Sequence, residues 1–300
     1  MSDAFQHLAP EARDALARGT QARLDFIKLR HWFDYPRAVQ ILERLEELVT
    51  YPTVNRMPCL MVVGSSNNGK TSIAKTFVER HKPETNSDET ILRFPVLYIE
   101  SLPHPTPESL MVEIIRLIGL PYSSSRDLLR LKVRVYALLK DLGVRVLVVD
   151  ELNTIVPLTN AKRQTFLAEL RSLTVKLGIS VVCFSTRAGA NVASYDDAFT
   201  SRFPIMDLPT WTQGQQWREL VRDFEAYLPF PEPSKLSSSQ FSERLLVQAD
   251  HRLGELSNLL ESMSSYAIKN NLKHLTPEII AESGWIAPQD RLDRIKSLKA

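Results

Sequence analysis

The chain has 300 residues, of which 44% are hydrophobic and 24% are charged, and its formal net charge at pH 7 is +2. This length and apolar content can bury a substantial core and favour a main domain with a smaller one, and the two cysteines exclude a disulfide framework. The nearly balanced charge does not by itself indicate nucleic acid or a membrane as a partner, so local charge has to decide.

Two further features predict a protein of the cytoplasm. No stretch approaches the ~18 consecutive apolar residues of a membrane span, and the first 30 residues lack the apolar core of a signal peptide. Cys59 and Cys183 both lie in apolar runs, where a thiol behaves as a small buried hydrophobe. We therefore expect a reducing compartment and no membrane partner.

The first predicted elements surround a glycine-rich loop. Apolar residues recur at helical spacing over residues 38–49, which predicts an amphipathic helix that stops before Pro52. The apolar run at residues 59–63 predicts a buried strand, and residues 64–71, with the sequence GSSNNGKT, follow it directly. Apolar residues spaced over positions 73–78 predict a helix after the loop. Strand, loop and helix in this order are the context of a phosphate-binding loop.

Each residue type in this loop suits a nucleoside triphosphate. The glycines let backbone N–H groups curve around the phosphates, Lys70 reaches the β and γ oxygens, and the Thr71 hydroxyl is a ligand for Mg²⁺. A chance match to a glycine-rich turn is the alternative, and the flanking strand and helix argue against it. We therefore predict ATP and Mg²⁺ as cofactors. The predicted nucleotide-binding residues of the loop are Gly64, Ser65, Ser66, Asn67, Asn68, Gly69, Lys70, Thr71 and Ser72.

Further apolar runs alternate with helical patterns along the next part of the chain. Strands are predicted at residues 96–99, 145–149, 179–184 and 205–208. Helices are predicted at residues 109–118, 123–142 and 161–177, and the second of them is capped by Ser123, Ser124 and Ser125. Because the strands are apolar throughout, we expect an α/β fold with a parallel five-stranded sheet covered by helices on both faces.

Past residue 214 the strand signals disappear. A helix is predicted at residues 217–228, and a linker is predicted from Pro229, Pro231 and Pro233 with the serines that follow. Helical patterns at residues 240–249, 253–266 and 277–283 predict a small bundle. The predicted parts are a helical lead-in (1–50), an α/β core (51–228), a helical lid (229–285) and a basic tail (286–300) that also fits a disordered end.

Acidic and hydroxyl side chains end two of the predicted strands. Asp150 and Glu151 end the third strand, and Thr186 ends the fourth. Carboxyl ends of parallel strands meet at one edge of a sheet, so we expect these residues beside the loop. In phosphoryl transfer the first acid holds Mg²⁺ and the second polarises the attacking water. An acid pair that caps the next loop is the alternative. Thr186 suits a contact with the γ-phosphate or the lytic water, and a hydroxyl that ends a strand in a turn is the alternative for it.

Arg202 lies between the fourth and fifth predicted strands, in the segment TSRFP. An arginine there cannot easily fold back on its own nucleotide, and it suits the γ-phosphate of a neighbouring copy as an arginine finger. A surface salt bridge is the alternative. The predicted catalytic residues are Lys70, Asp150, Glu151, Thr186 and Arg202, and the predicted Mg²⁺ ligands are Thr71 and Asp150.

Taken together, these motifs and the helical C-terminal part resemble an AAA+ ATPase. Residues 32–38 (WFDYPRA), 56–58 (RMP) and 67–71 (NNGKT) further resemble the TniB/TnsC group of transposition ATPases. The resemblance covers residues 24–285. It implies an AAA+ P-loop domain with a small C-terminal all-helical lid, in an ATPase that hydrolyses ATP to ADP and phosphate, slowly and when assembled.

The same resemblance implies the partners. Such proteins assemble head to tail as a ring or a helical filament on double-stranded target DNA and recruit a DDE transposase, and some meet a TniQ-like target-selecting adaptor. It also implies that Trp32 and Tyr35 line the adenine pocket, with core packing of the aromatic pair as the alternative. One departure is Ser257, which stands where many AAA+ lids carry a nucleotide-sensing arginine. Arg252 is the candidate substitute.

Local charge supports the backbone of double-stranded DNA as a partner. Residues 116–145 contain seven basic residues and two acids. Arg126, Arg130 and Arg134 fall on one stripe of the predicted helix, with Ser124 at its N-terminal end. Contacts of this type give marked salt dependence and little sequence specificity. A solvated helix face is the alternative.

Two other functions fit the same motifs. One is a remodelling ATPase that resembles a helicase loader and acts on a protein partner, for which a closed ring without DNA dependence would be characteristic. The other is a nucleotide-gated binding module, for which intact ATP binding with negligible turnover would be characteristic. The residues alone do not separate these two functions from a transposition ATPase.

Overall fold

The computed structural model describes residues 5–85, 92–100, 102–121 and 127–297. These residues form two compact units. The sheet unit comprises the described residues of Pro36–Ser66 and Lys70–Pro209. The helical unit comprises the described residues of Met1–Tyr35 and Thr210–Ala300, together with Asn67–Gly69 at the tip of the predicted phosphate loop.

The elements are numbered along the chain. The described helices are α1 (Pro10–Ala17), α2 (Thr20–Phe26), α3 (Pro36–Thr50), α4 (Lys70–Arg80), α5 (Pro107–Leu117), α6 (Leu128–Asp141), α7 (Asn160–Leu177), α8 (Arg187–Ala193), α9 (Asp197–Thr200), α10 (Gln215–Ala226), α11 (Ser239–Gln248), α12 (Leu253–Lys269), α13 (Ile279–Glu282) and α14 (Pro288–Ser297). The described strands are β1 (Leu60–Gly64), β2 (Glu84–Thr85), β3 (Leu92–Arg93), β4 (Val96–Ile99), β5 (Val146–Val149), β6 (Ser180–Ser185) and β7 (Ile205–Leu208).

Five strands of the sheet unit form one parallel sheet in the order β4-β5-β6-β1-β7. The β-branched residues of β1, β5 and β6 suit a pleated buried surface, and these strands are buried at every position. Burial of both faces is what a parallel sheet covered by helices requires. The predicted α/β sheet is confirmed, and each of its strands begins and ends within one residue of the prediction. A short antiparallel ribbon, β2 with β3, was not predicted.

The start of α6 differs from the prediction. The N-cap of this helix is Asp127, whose side chain accepts hydrogen bonds from the N–H groups of Leu129 and Arg130 at 3.0 and 3.2 Å. A carboxylate is a strong acceptor for these free N–H groups, and it also opposes the positive end of the helix dipole. The predicted cap at Ser123 to Ser125 is therefore wrong, and those serines lie outside the described residues.

Both cysteines are buried, as predicted. Cys59 lies directly before β1 and Cys183 lies within β6. Burial raises the pKa of the Cys59 thiol to about 11, and it raises the pKa of Cys183 well above its ordinary value. Both side chains are therefore neutral apolar groups of the core rather than reactive thiols.

The helical unit includes α10, which the sequence interpretation assigned to the α/β core. Trp217 of α10 is fully buried, and its indole Nε1 donates to the carbonyl oxygen of Ser242 in α11 at 2.8 Å. The proline-rich segment that follows is packed too, because Phe230 is 1% exposed and Arg23 Nε donates to the carbonyl oxygen of Pro229 at 2.8 Å. The boundary between the units therefore falls after residue 209 rather than after residue 228.

Across the part of the chain that the structure describes, no helix combines the length and the apolar character needed to cross a membrane.

Candidate nucleotide-binding site

The loop between β1 and α4 requires glycine at two positions. A Cβ atom on Gly64 would lie 2.8 Å from the backbone oxygen of Leu208 in β7, which is closer than such atoms approach. Gly69 has φ +91°, a backbone conformation that residues with a Cβ atom rarely adopt. The path of the loop therefore depends on both glycines that the phosphate-loop motif supplies.

Lys70 is the first residue of α4, and it is only 3% exposed. Its Nζ donates to the backbone oxygen of Ser65 at 2.9 Å. Burial lowers the pKa of Lys70, while the carboxylates of Glu151 and Asp150 act in the opposite direction. A buried ammonium group is costly without an anionic partner, so this position suits the oxygens of a bound phosphate.

Asp150 follows β5 and is 1% exposed. The Thr71 hydroxyl donates to Asp150 Oδ2 at 2.7 Å, so the two predicted Mg²⁺ ligands lie in direct contact. Burial raises the pKa of Asp150, and its hydrogen bonds, that from Thr71 first, act against this rise. A carboxylate beside a hydroxyl presents the oxygen ligands that Mg²⁺ prefers. These residues therefore fit the predicted cofactor.

Tyr98 is a residue of this site that was not predicted from the sequence. Its hydroxyl donates to Asp150 Oδ2 at 3.1 Å from β4, the strand next to β5. Burial and the charge of Asp150 raise the pKa of Tyr98, so its hydroxyl keeps its proton and remains a donor at neutral pH. The only available signal was a tyrosine near the end of a predicted strand, and the strand order was needed to give it a partner.

Glu151 has a backbone conformation that is uncommon for its type. Its φ and ψ are 52° and 40°, in the left-handed region, and its N–H donates to Asp150 Oδ1 at 2.8 Å. Residues held in such conformations concentrate at functional sites. Nearby, Ser185 Oγ and Asn153 Oδ1 are buried, and neither has a hydrogen-bond partner among the described residues.

Thr186 follows β6 directly and caps the next helix. Its side-chain oxygen accepts from the N–H of Gly189 at 3.4 Å, at the start of α8. This geometry matches the alternative of a hydroxyl that ends a strand in a turn. The hydroxyl proton remains a donor, so a contact of Thr186 with the γ-phosphate or the lytic water stays a prediction.

Arg202 lies at the other edge of the sheet. It precedes β7, which runs parallel to β1 with Ile205 opposite Met61, so it belongs to the amino edge, whereas the loop follows the carboxyl end of β1. Its guanidinium donates to Thr174 Oγ1 at 3.2 Å. Arg202 is therefore far from Lys70 of its own sheet unit, and its action on a neighbouring copy stays a prediction.

The tip of the loop packs within the helical unit. The carbonyl oxygen of Asn67 accepts from the N–H of Gly254 at 2.9 Å, and Asn68 Oδ1 accepts from the N–H of Leu253 at 3.3 Å. The two asparagines thereby cap the first turn of α12, whose own N-cap residue offers no side-chain hydrogen bond. Gly254 is required here, because a Cβ atom would lie 2.8 Å from the backbone oxygen of Asn67.

The two predicted adenine-pocket residues differ in burial. Tyr35 is 6% exposed, and its ring packs edge-on against Trp211 with centroids 5.1 Å apart. Trp32 is half-buried, and its indole N–H donates to Asp34 Oδ1 at 2.8 Å. Tyr35 is thus a core residue of the helical unit, which matches the packing alternative, and the adenine contacts of both residues stay a prediction.

The positions considered for a nucleotide-sensing arginine have partners of their own. The hydroxyl of Ser257 accepts a hydrogen bond from Arg30, whose Nη2 also donates to Asn258 Oδ1 at 2.7 Å. Arg252, the candidate substitute, pairs with Asp250 Oδ2 at 2.6 Å. A sensing role for Arg252 would have to compete with this ion pair.

Of the predicted DNA contacts, two lie in the described part of the chain. Arg130 and Arg134 are both exposed on α6, and Arg130 also pairs with Asp127 at 3.0 Å. Ser124 and Arg126 lie outside the described residues. The exposed side of α6 therefore presents basic groups in the predicted stripe, and their contact with DNA stays a prediction.

A match to a known protein family identifies the family of this chain. The family model described as Bacterial TniB protein matches residues 23–213, which is more than half of the chain. The chain belongs to the TniB family. The predicted resemblance to this group is confirmed by the match. No curated protein sequence matches this TniB-family chain.

Solved structures share its fold at low sequence identity. Cdc6p of Pyrobaculum aerophilum is 17% identical over 86% of this chain and 69% of its own, with a TM-score of 0.61. The ORC1 protein of Aeropyrum pernix, solved in complex with DNA, is 15% identical over 93% and 72%, with a TM-score of 0.59. The ORC2 protein of the same organism, solved in ADPNP-ADP complexes, is 15% identical over 87% and 71%, with a TM-score of 0.55. This TniB-family chain thus shares the fold of these proteins, an AAA+ P-loop fold with a parallel sheet and C-terminal helices.

Proposed function

We propose that this TniB-family chain binds ATP with Mg²⁺ at residues 64–71 and hydrolyses it. The observation that carries this proposal is the group formed by buried Lys70, the Thr71 hydroxyl and buried Asp150 at the carboxyl edge of the sheet. A buried cation directly after the loop and a buried carboxylate beside a hydroxyl are complementary to a phosphate chain and its metal.

The residues of the chain divide the work of phosphoryl transfer. Lys70 and the N–H groups of the loop bind phosphate oxygens, while Thr71 and Asp150 hold the metal. Mg²⁺, when bound, neutralises charge that develops on the phosphate oxygens. Tyr98 holds the Asp150 carboxylate in place. Glu151 orients and polarises the attacking water, and Thr186 donates its hydroxyl proton to the γ-phosphate or to that water.

Arg202 completes the site of a neighbouring copy. Its place at the amino edge of the sheet, away from the loop of its own chain, supports this assignment. A contact that joins one edge of a subunit to the opposite edge of the next is heterologous, and it builds a closed ring or an open helical filament. Hydrolysis then depends on assembly, because each site lacks its arginine until a neighbour arrives.

We further propose that the assembly forms on duplex DNA and regulates or recruits a DDE transposase, with a TniQ-like adaptor as a further partner, in the cytoplasm. The TniB family match supports the transposition role. Exposed Arg130 and Arg134 support contact with the phosphate backbone. The DNA complex of the ORC1 protein gives a precedent for DNA binding on this fold.

Mixing two inactive variants tests whether the neighbour supplies the arginine. Arg202→Ala keeps a complete loop and Glu151, whereas Glu151→Gln keeps Arg202. We expect an equimolar mixture to hydrolyse ATP well above the sum of the separate variants, since Arg202 of one then serves the intact site of the other. The measurement is phosphate release at saturating ATP and DNA.

Thr174→Val is the matched control, because it keeps Arg202 and removes the Thr174 hydroxyl, which accepts from Arg202 and donates to the backbone oxygen of Arg171 at 2.8 Å. This variant should hydrolyse ATP at nearly the wild-type rate. If no mixing ratio restores hydrolysis, while both variants still assemble, the intersubunit arginine is excluded.

A further inference from the structure

The tip of the phosphate loop is held by a carboxylate from α12. Asn67 Nδ2 donates to Glu255 Oε1 at 2.9 Å, in addition to the backbone bond between Asn67 and Gly254. Asn67 has φ 58°, and asparagine tolerates this left-handed conformation better than most residues. Glu255 is 5% exposed, so its carboxylate is a buried charge directly beside the loop.

Arg291 of α14 neutralises that buried charge. Its Nη2 donates to Glu255 Oε2 at 2.9 Å and its Nη1 donates to Glu255 Oε1 at 3.2 Å, a two-pronged pairing that fixes the plane of the carboxylate. Arg291 is itself fixed. Its Nε donates to the backbone oxygen of Ile286 at 2.9 Å, and its guanidinium lies 4.8 Å from the centre of the Trp285 ring.

These contacts form one chain from α14 to the loop: Arg291 orients Glu255, and Glu255 orients Asn67. Removing the arginine would leave a buried carboxylate without its cation, which is far more costly than losing a surface pair. The carboxylate would then rotate or take up solvent, and Asn67 would lose the acceptor that sets its side chain.

We propose that Arg291 is a positioning residue for the phosphate loop and that it sets ATP affinity through Glu255 and Asn67. The inference rests on the proposed binding of ATP at residues 64–71. Through Arg291, α14 would help to determine nucleotide affinity, although this helix contributes no residue to the loop itself. No sequence motif indicates this role, because Asn67, Glu255 and Arg291 are widely separated along the chain.

The test measures the Kd of a fluorescent ATP analogue with Mg²⁺ for the full chain. Arg291→Met keeps the length of the side chain but removes its charge, and it should weaken binding by about tenfold, the range expected for a charged hydrogen bond. Arg18→Met is the matched control, because Arg18 pairs with Asp14 on the exposed surface of the same unit. That control should bind the analogue as the wild type does.

A double-mutant cycle separates positioning from a general loss of structure. Asn67→Gly keeps a residue that accepts positive φ but removes the amide donor to Glu255. If Arg291 acts through Asn67, Arg291→Met should weaken binding less than about threefold in the Asn67→Gly background. Full multiplication of the two effects, or wild-type affinity in Arg291→Met alone, would overturn the inference.

Two further measurements distinguish a failure of the proposed contacts from misfolding and from a failure of ATP binding itself. If Arg291→Met does not fold, the pair Glu255→Gln with Arg291→Met removes the unpaired charge while leaving an amide acceptor for Asn67. We expect this pair to fold and to bind within about threefold of the wild type, and binding as weak as about tenfold below it would contradict the assigned chain of contacts. If the wild type and Lys70→Met both fail to bind the analogue, the proposed function itself fails.

Discussion

Lys70→Met should reduce ATP affinity by about two orders of magnitude, as expected when two charged hydrogen bonds to phosphate are lost. Methionine keeps the length and the apolar stem of lysine but cannot bind an anion. Burial lowers the pKa of Lys70, which means that folding disfavours the charged form of this side chain. Removing the ammonium group should therefore not lower the Tm of the ligand-free protein. Calorimetric titration with ATP and Mg²⁺, paired with a thermal melt, measures both quantities.

Lys75→Met is the matched control on the same helix. Lys75 of α4 is half exposed and pairs with Glu100 at 3.0 Å, outside the loop. Its replacement makes the same change in net charge and should leave the ATP affinity unchanged. Equal losses in the two variants, or wild-type affinity in Lys70→Met, would show that the loop does not bind the nucleotide.

The second large effect is expected at Glu151. Glu151→Gln should lower the rate of ATP hydrolysis by about 10²- to 10⁴-fold, the range of a general-base contribution. ATP affinity should remain close to that of the wild type, because Lys70, Thr71 and Asp150 are untouched. Glutamine has nearly the same shape as glutamate, so it should adopt the same backbone conformation at φ 52° as readily as Glu151 does. Single-turnover hydrolysis and equilibrium binding separate the two quantities.

Glu100→Gln is the control for this variant. Glu100 follows β4 at the same edge of the sheet but is exposed and pairs with Lys75. Loss of one carboxylate there should leave hydrolysis intact. Unchanged turnover in Glu151→Gln would remove Glu151 from the role of base, and lost binding in the same variant would assign it to the nucleotide cradle instead.

The sheet could be predicted because each strand is a short apolar run between turn-forming residues. The small errors have physical causes. β1 continues through Gly64 because that glycine pairs with Leu208 of β7, and β6 continues through Ser185 because that serine pairs with Val63. A glycine and a serine carry no apolar signal, so the ends of the strands shift while their number and direction do not.

The charge of residues 116–145 shows where composition misleads. Lys132 pairs with buried Glu169, and Arg145 donates to Thr53 at 2.9 Å, so these cations hold the sheet unit together. Local charge counted along the chain therefore overstates the charge presented at the surface. The partners of both cations lie more than 30 residues away, and helical spacing alone cannot reveal them.

The contacts around Asp150 and Asn67 could not be predicted from the sequence for a related reason. Tyr98 reaches Asp150 only because β4 and β5 are neighbours in the sheet. Glu255 reaches Asn67 only because the tip of the loop packs on the first turn of α12. Periodicity indicates which side of an element is buried, but it does not identify the residue on the other side of the contact.

Sedimentation velocity with linear duplex DNA tests the central claim most directly, namely that ATP drives assembly of this TniB-family chain on DNA. With a non-hydrolysable ATP analogue and Mg²⁺, we expect a large DNA-bound species that dissociates as the salt concentration rises, because phosphate contacts release counterions. With ADP, the bound species should be small. Species of equal size with the ATP analogue and with ADP would contradict assembly driven by ATP.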